Sequence, residues 1–478
     1  MASPATDSDE PLTPAGRLFL RPEMNQIIHC VLGVKNPLDI DAVKSQIRDS
    51  FLLKHPRFRS LLVVDRRGLE RWRRTSVDLD RHLIVVDSPV NSNGGSDDEA
   101  AVNEYLAEMS IGSGLGLDKP LWEIHLLMAH KCVVFRIHHA LGDGISLMSM
   151  LLSGCRKVGE PDAVPSIGPV SSSSSSNRRK SREGGRRGWR EYCYWDAIVG
   201  LVGVLWFSLV FVVEFLVKLL WVCDRETAIS GGDGVELWPR KLATARFSVD
   251  DMKTVKKAIN DATINDVLFG VISSGLSRYL DHRTPNALQE GFQITGLAMV
   301  NLRKQPGLQE LSELMRSNSE SRWGNKFGFI LLPVKYHKTS GTDPLLYVKR
   351  AKVMLDRKKQ SLEAHFSYKI GYYVMTYLGS KVAGLLNYRI VCNTSFTISN
   401  VVGPQEAIAI LDNPVTYVRV NSSSLPHALT MHMLSYAGRA DMQILVAKDI
   451  IPDPEFLAKC FEDALFEMKE AASAIIQT

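Results

Sequence analysis

The apolar run AIVGLVGVLWFSLVFVV, residues 197–213, constrains this chain of 478 residues more than any other feature. As a helix it would extend about 26 Å, against a bilayer hydrocarbon core of roughly 30 Å. Trp189, Tyr192, Tyr194 and Trp195 precede it, and Phe215 and Trp221 follow. Aromatic residues take such places at membrane interfaces. The apolar text continues past Glu214 and Lys218, either of which would cost roughly 2.5–3.5 kcal/mol at mid-bilayer. A buried core helix is the competing reading, and the flanks favour membrane contact. Just before the run, residues 156–194 hold six consecutive serines (171–176) and the basic cluster Arg178, Arg179, Lys180, Arg182, Arg186, Arg187 and Arg190. Such a stretch cannot bury a core and reads as a linker.

The chain therefore divides into a polar, disordered 1–13, a lobe over 14–155, the linker 156–194, a hydrophobic membrane segment 195–222 and a second lobe over 241–478. Both lobes are long enough for a core. The basic flank places the N-terminal side of the segment in the cytosol, so a single crossing would put the second lobe in the lumen. A site drawing on both lobes requires instead an insertion confined to one leaflet or a helical hairpin.

Charge and cysteines narrow the partners. The balance of 57 basic and 52 acidic residues gives only +5, too little to indicate nucleic acid. Seven scattered cysteines without paired spacing argue against a disulfide framework and for a reducing compartment. Asp7, Asp9 and Glu10 lie where a signal peptide would be apolar.

Within the first lobe, strand-like runs (26–34, 61–64, 132–137) alternate with helical ones (40–51, 99–109), the pattern of a mixed α/β fold. In the second, helices are expected at 249–258, 263–279, 344–362, 368–386 and 454–476. Strands are expected at 292–300, 328–333, 396–399, 415–420, 429–436 and 442–448. PLWEIHL, 120–126, reads as an edge strand leading into 132–137. The lysines and arginines of 344–362 could approach a polyanion, and a solvated face is the favoured reading.

The chemistry concentrates in HHALGDG, residues 138–144. A short apolar strand delivers two adjacent imidazoles to a Gly-flanked turn, and Asp143 stands where it can cap the following helix. Adjacent strand residues point to opposite faces, so one histidine looks into a cavity while the other packs or anchors. A neutral imidazole can take a proton from a hydroxyl near pH 7, which makes acyl transfer the natural reaction. A His-His-carboxylate metal site is the alternative, and diverging side chains with no further ligand motif count against it. Thr397, Ser399 and Asn400 end a strand in hydroxyl and amide groups that could serve an oxyanion or a ligand amide, although Ser-Asn before Gly-Pro is also ordinary turn chemistry. Residues 300–303 and Gly324-Asn325 read by themselves as strand-edge and turn signals. Neither a phosphate loop nor a nucleophile elbow is present, so base-assisted direct transfer is the simplest mechanism.

Taken together, HHALGDG at 138–144, PLWEIHL at 120–126, the helix start Asn265-Asp266, VNLR at 300–303, Gly324-Asn325 and SNVVGP at 399–404 resemble the wax ester synthase/diacylglycerol acyltransferase family, its plant branch above all. The resemblance runs in order from LTPAG at 12–16 to the C-terminal helix. It implies an α/β (α+β) fold of two CoA-acyltransferase lobes, condensation-domain-like, with a tunnel between them. His139 would be the general base, His138 a supporting group, and Asp143 a holder of the loop through a basic partner. Gly144 would leave room at the tunnel. Ser399 and Asn400 would line the facing lobe, with Thr397 and Asn265 as further substrate-binding candidates. The implied partners are acyl-CoA, a substrate rather than a cofactor, a fatty alcohol or diacylglycerol, and membrane lipid. The expected place is the endoplasmic reticulum membrane, where lipid acceptors and acyl-CoA meet, with the plasma membrane as a second site and the lobes on the cytosolic side. An HxxxDG acyltransferase for a soluble alcohol or amine, and a non-catalytic membrane-associated binding protein, are the rival readings. The preferred acceptor and the oligomeric state stay open.

Overall fold

In the computed structural model the described residues are 9–90, 98–112, 114–160, 165, 188–303, 323–338, 343–410, 412–423 and 425–477. The histidine-bearing strand Cys132–His138 lies between Trp122–Leu127 and Ile27–Val34, antiparallel to both. A strand covered on both faces reads as an unbroken apolar run, which is why CVVFRIH shows no alternation. Trp122–Leu127 is not the edge that its alternation suggested. Leu83–Val86 pairs with it in parallel and takes the outer position.

The other side of Ile27–Val34 is closed by Asn413–Ser422, a strand from the far end of the chain (Val420↔Cys30, Asn421↔His29). With Ile408–Ile410 and Arg156–Lys157 it completes a seven-stranded sheet. The stretch 241–478 is thus not confined to the second lobe, since Ile408–Ile410 and Asn413–Ser422 build the first lobe's sheet. Its own sheet has six strands in the order Phe327–Lys335, Gln293–Asn301, Phe396–Val402, Leu429–Tyr436, Arg439–Ala447 and Arg240–Ser248. One face of it carries Phe396, Ile398, Met431 and Met442 against the helices Ile264–Arg283, Pro344–Lys359 and Pro454–Gln477. By strand alternation Thr397, Ser399, Val401, Thr430 and His432 fall on the opposite face. Val401 and Leu434 there pack with Leu32, Met148 and Val418 of the first lobe.

Residues 1–8 lie outside the described region, but 9–13 do not share the disorder expected of 1–13. Glu10–Pro11 pairs with Glu70–Arg74, Asp9 meets Arg73 at 2.9 Å, and Thr13 caps the short helix Pro14–Leu18. Most of the basic linker is outside the described residues as well, and its expected bounds are trimmed at both ends. Arg156–Lys157 is a strand, and an uninterrupted helix begins at Gly188 and runs to Leu220. That continuity removes the helical hairpin. The helix is long and apolar enough to cross a membrane over Gly200–Leu220.

Its C-terminal end belongs to the second lobe. Phe215 and Leu219 are buried with Met375, Ala383 and Ile390. Lys218 pairs with Asp224, which also accepts from the Thr295 backbone N–H (2.6 Å) and the Ser395 hydroxyl (2.6 Å). Glu214 lies 3.6 Å from the buried ammonium of Lys358, which sits 3.7 Å from the centre of the Phe211 ring. The two charges that would be costly in hydrocarbon therefore have protein partners. Residues 368–386, expected as one helix, are two: Glu363–Tyr373 and Gly379–Cys392, joined by a π-turn at Val374–Leu378. Gly379, at φ +83°, makes the break, in a backbone region that other residues enter only at a cost.

Candidate active site between the lobes

The strand ends at His138, and the chain turns through 139–143 into the helix Gly144–Ser153, capped by the Asp143 carboxylate on the Ser146 N–H (3.0 Å). Both histidines are buried, and their hydrogen-bond partners fix opposite tautomers. His138 Nδ1 accepts from the Ala140 N–H (3.1 Å), so its Nε2–H donates to Asn25 Oδ1 (3.0 Å). Every polar atom of that ring is used within the first lobe. Burial and the neighbouring His139 lower its pKa to about 3.

His139 is held from across the interface. The Asn325 amide nitrogen donates to the His139 carbonyl (2.8 Å), which obliges its Oδ1 to face the ring, 2.9 Å from Nδ1. A carbonyl oxygen can only accept, so Nδ1 carries the proton and the lone pair is left on Nε2. Among the described residues no hydrogen bond reaches that Nε2. Phe19 stacks on the ring at 4.1 Å between centroids, and Phe327 lies at 5.8 Å. Burial, the dominant cause, lowers the imidazole's pKa against the opposing pull of Asp143. The ring is neutral, oriented and basic at one nitrogen.

Asp143 has its basic partner in Arg303, at 2.7 Å and fully buried. The same guanidinium donates to the Ser146 hydroxyl (3.1 Å) and the Gly324 carbonyl (2.8 Å). Trp323 donates its indole N–H to the Leu141 carbonyl (2.8 Å). Gly324, at φ +127°, turns the chain between Trp323 and Asn325 so that both reach the motif loop. Segments 301–303 and 323–326 of the second lobe thus clasp the motif of the first.

Gly144 stands 3.6 Å (ideal Cβ) from the Val401 methyl and lines an apolar cavity with Ile137, Leu147, Met148 and Val401. Ser399 shares the interlobe face of its strand with Val401 and is the cross-strand neighbour of His432. Asn400 points the other way and donates to Asn265 Oδ1 (2.8 Å), one residue into the helix that Thr263 and Asp266 cap reciprocally. Thr397 is buried, its hydroxyl 2.8 Å from His427 Nδ1. Of the strand's polar groups, Ser399 therefore lies on the interlobe face, while Asn400 makes an exposed hydrogen bond to Asn265 on the other face.

Sequence reasoning placed Asn325 and Arg303 in turn and strand-edge motifs that carry the resemblance, and gave neither a role at the site. An arginine directly after an apolar strand was the available clue, since it must find a buried acceptor. Phe19, Asn25, Phe327 and His432 gave no comparable signal. His432 is buried with Nδ1 unpartnered among the described residues, and burial, with His139 a lesser cause, lowers its pKa to about 4. A second cavity of about 670 Å³ starts at Asn325, Phe327 and Trp323 and runs to Phe215 and Leu219 of the apolar helix. Among the described residues no cluster of three metal-ligating side chains occurs.

Two lobes joined by an exchanged strand, with the HHALGDG loop at their seam, define a fold that solved condensation domains share. The first condensation domain of the calcium-dependent antibiotic synthetase superposes with a TM-score of 0.53 at 13% identity, covering 96% of this chain and 97% of that one. The wax ester synthase/diacylglycerol acyltransferase from Marinobacter aquaeolei VT8 gives 0.58 at 15%, covering 97% and 100%. Models of the wax ester synthase/diacylglycerol acyltransferase catalytic domain and of the WS/DGAT C-terminal domain match residues 33–268 and 323–469. Wax ester synthase/diacylglycerol acyltransferase 5 of Arabidopsis thaliana is 35% identical over 97% of this chain and 94% of its own length. The Arabidopsis thaliana relative numbered 11 is 34% identical over 99% and 96%. The chain belongs to the wax ester synthase/diacylglycerol acyltransferase family, whose members are O-acyltransferases.

Proposed function

We propose that this enzyme transfers a long-chain acyl group from acyl-CoA to a fatty alcohol, a diacylglycerol or both, with His139 as general base and no cofactor. The observation that carries the reading is the bidentate Asn325 clamp, which leaves a lone pair on Nε2 of a neutral, buried imidazole. Nε2 takes the hydroxyl proton as the alkoxide oxygen attacks the thioester carbonyl. The tetrahedral intermediate collapses by breaking the C–S bond, and the proton on His139 passes to the departing thiolate. Ester and free CoA result.

Ser399, on the interlobe face of its strand, is suited to donate a hydrogen bond to the oxyanion. The buried polar atoms of Asn421, Thr430, His432 and Gln443 along the seam offer partners to the amide-bearing arm of CoA. Asp143, Arg303 and His138 fix the loop, and Gly144 keeps the apolar cavity behind it open.

The apolar helix enters one leaflet rather than crossing. Its polar end is tied to the second lobe, and the lobes share a sheet, so both stay on one side, the cytosolic face of the endoplasmic reticulum. Protease protection of a C-terminal tag in sealed microsomes tests this; a protected tag contradicts it. The substrate reading is tested by supplying labelled acyl-CoA with a fatty alcohol or a diacylglycerol to microsomes bearing the protein. Labelled wax ester or triacylglycerol is expected. Label recovered only on a soluble alcohol or amine would overturn it.

A further inference from the structure

We propose that the helix pair Glu363–Tyr373 and Gly379–Cys392 is a second lipid-docking surface, so that the 670 Å³ cavity opens into the acyl-chain region of a bilayer. The surface rests on the reading above only in being called a source of substrate; its contact with lipid does not depend on turnover.

Single exposed apolar residues are ordinary on a protein surface, whereas a contiguous patch marks an interaction. Here Tyr377, Leu378 and Leu385 are 77%, 61% and 65% exposed, with Tyr372, Tyr373 and Val382 beside them. The π-turn and Gly379 hold these side chains outward at the bend instead of folding them onto the lobe. Leu201, Leu205, Trp206 and Leu209 of the apolar helix are exposed in the same way. The two surfaces are not separate, because the cavity is walled by both: Phe215 and Leu219 on one side, Ile370, Tyr372, Met375 and Leu386 on the other. Tyr372 belongs both to the cavity wall and to the exposed patch.

Charge names the occupant. Residues 364–392 contain no acidic residue, while Lys369, Lys381 and Arg389 are exposed on the same helices. The cluster from Arg178 to Arg190 leads into the apolar helix. Tyrosines beside aliphatic residues, rimmed by cations, match an anionic lipid interface, in which rings lie at headgroup level and basic residues meet phosphates. A docked enzyme would draw an oily acceptor along the cavity to Asn325 and His139 without passing it through water.

The full-length protein serves for the test. In Leu378→Trp, the fluorescence added over wild type should be quenched by phosphatidylcholine–phosphatidylserine vesicles brominated on their acyl chains. In the triple variant Tyr377→Ser, Leu378→Ser, Leu385→Ser, KM for a vesicle-borne long-chain alcohol should rise about tenfold, while turnover of a short water-soluble alcohol is unchanged. Absence of quenching on vesicles that carry the protein overturns the proposal, as does an unaltered KM. A concentration-dependent dimer that the triple variant abolishes, with the added fluorescence unquenched, assigns the patch to a second copy and also overturns it. Quenching without acyl transfer to any acceptor would retain the docking surface and refute the enzymatic reading, so the two fail separately.

Discussion

At the scale of single residues, the hydrogen-bonding inventory of Asn325 decides more than its charge. One amide spans the ring and the backbone of His139, so its loss affects orientation and tautomer together. Asn325→Ala is expected to lower kcat by about ten- to hundredfold, the equivalent of 1–3 kcal/mol of lost positioning, with KM for acyl-CoA little changed. Steady-state kinetics at saturating acceptor checks this; an unchanged kcat would show that the ring is held without the clamp. The sequence displayed the loop's own actors, since HHALGDG carries base, cap and glycine in one run. It concealed the clamp. Gly-Asn is ordinary turn text, and its meaning appears only when Asn325 meets a residue 186 positions earlier. Ser399 and Asn400 show the converse: adjacent in a suggestive motif, they are sent by strand alternation to opposite faces of the sheet.

At the scale of elements, the strand Phe327–Lys335 links the site to the cavity wall. Phe327 lies by His139, while Gly328 meets the helix Glu363–Tyr373 so closely that an added Cβ would stand 2.0 Å from the Ala364 carbonyl oxygen. That neighbour is backbone, so the helix or the strand must move. Gly328→Ala is expected to destabilise by about 1–3 kcal/mol, read as a lower urea midpoint, and to reduce transfer to long-chain acceptors. A wild-type midpoint would mean that the contact relaxes freely. Periodic patterns revealed most helices, and in the structure the side chains of Asp39, Ser248, Thr263 and Asp343 prove to cap four of them. The patterns did not reveal the break in 368–386, whose residues keep a helical pattern while Gly379 leaves it. Nor could they reveal the pairing of Asn413–Ser422 with Ile27–Val34, which local patterning does not encode.

At the scale of the molecule, the interior is rich in uncharged imidazole. Burial lowers the pKa of His29, His55, His138 and His427 from 6.5 to about 3, and that of His432 to about 4. An unfolded chain would bind protons at these positions below pH 6.5, and the folded chain does not until about pH 3–4. Their contribution to stability is therefore complete above pH 6.5 and is lost as pH falls through that window, by about 1.4 kcal/mol per pH unit for each histidine. Urea midpoints should drop between about pH 6.5 and about pH 5, well above the range in which carboxylates protonate. Midpoints flat across that interval would contradict the burial. The seam that holds His29, His432 and His139 neutral is also where the substrates are proposed to meet.

The central claim is that His139 Nε2 removes the acceptor's proton. The direct measurement is the rate of labelled acyl transfer from acyl-CoA to a fatty alcohol by purified His139→Gln, taken beside wild type at equal urea midpoint and equal vesicle binding. A fall of about 10²–10⁴-fold is expected, the usual contribution of a positioned general base. Turnover within about twofold of wild type would contradict the account, since such a base cannot be removed at so little cost.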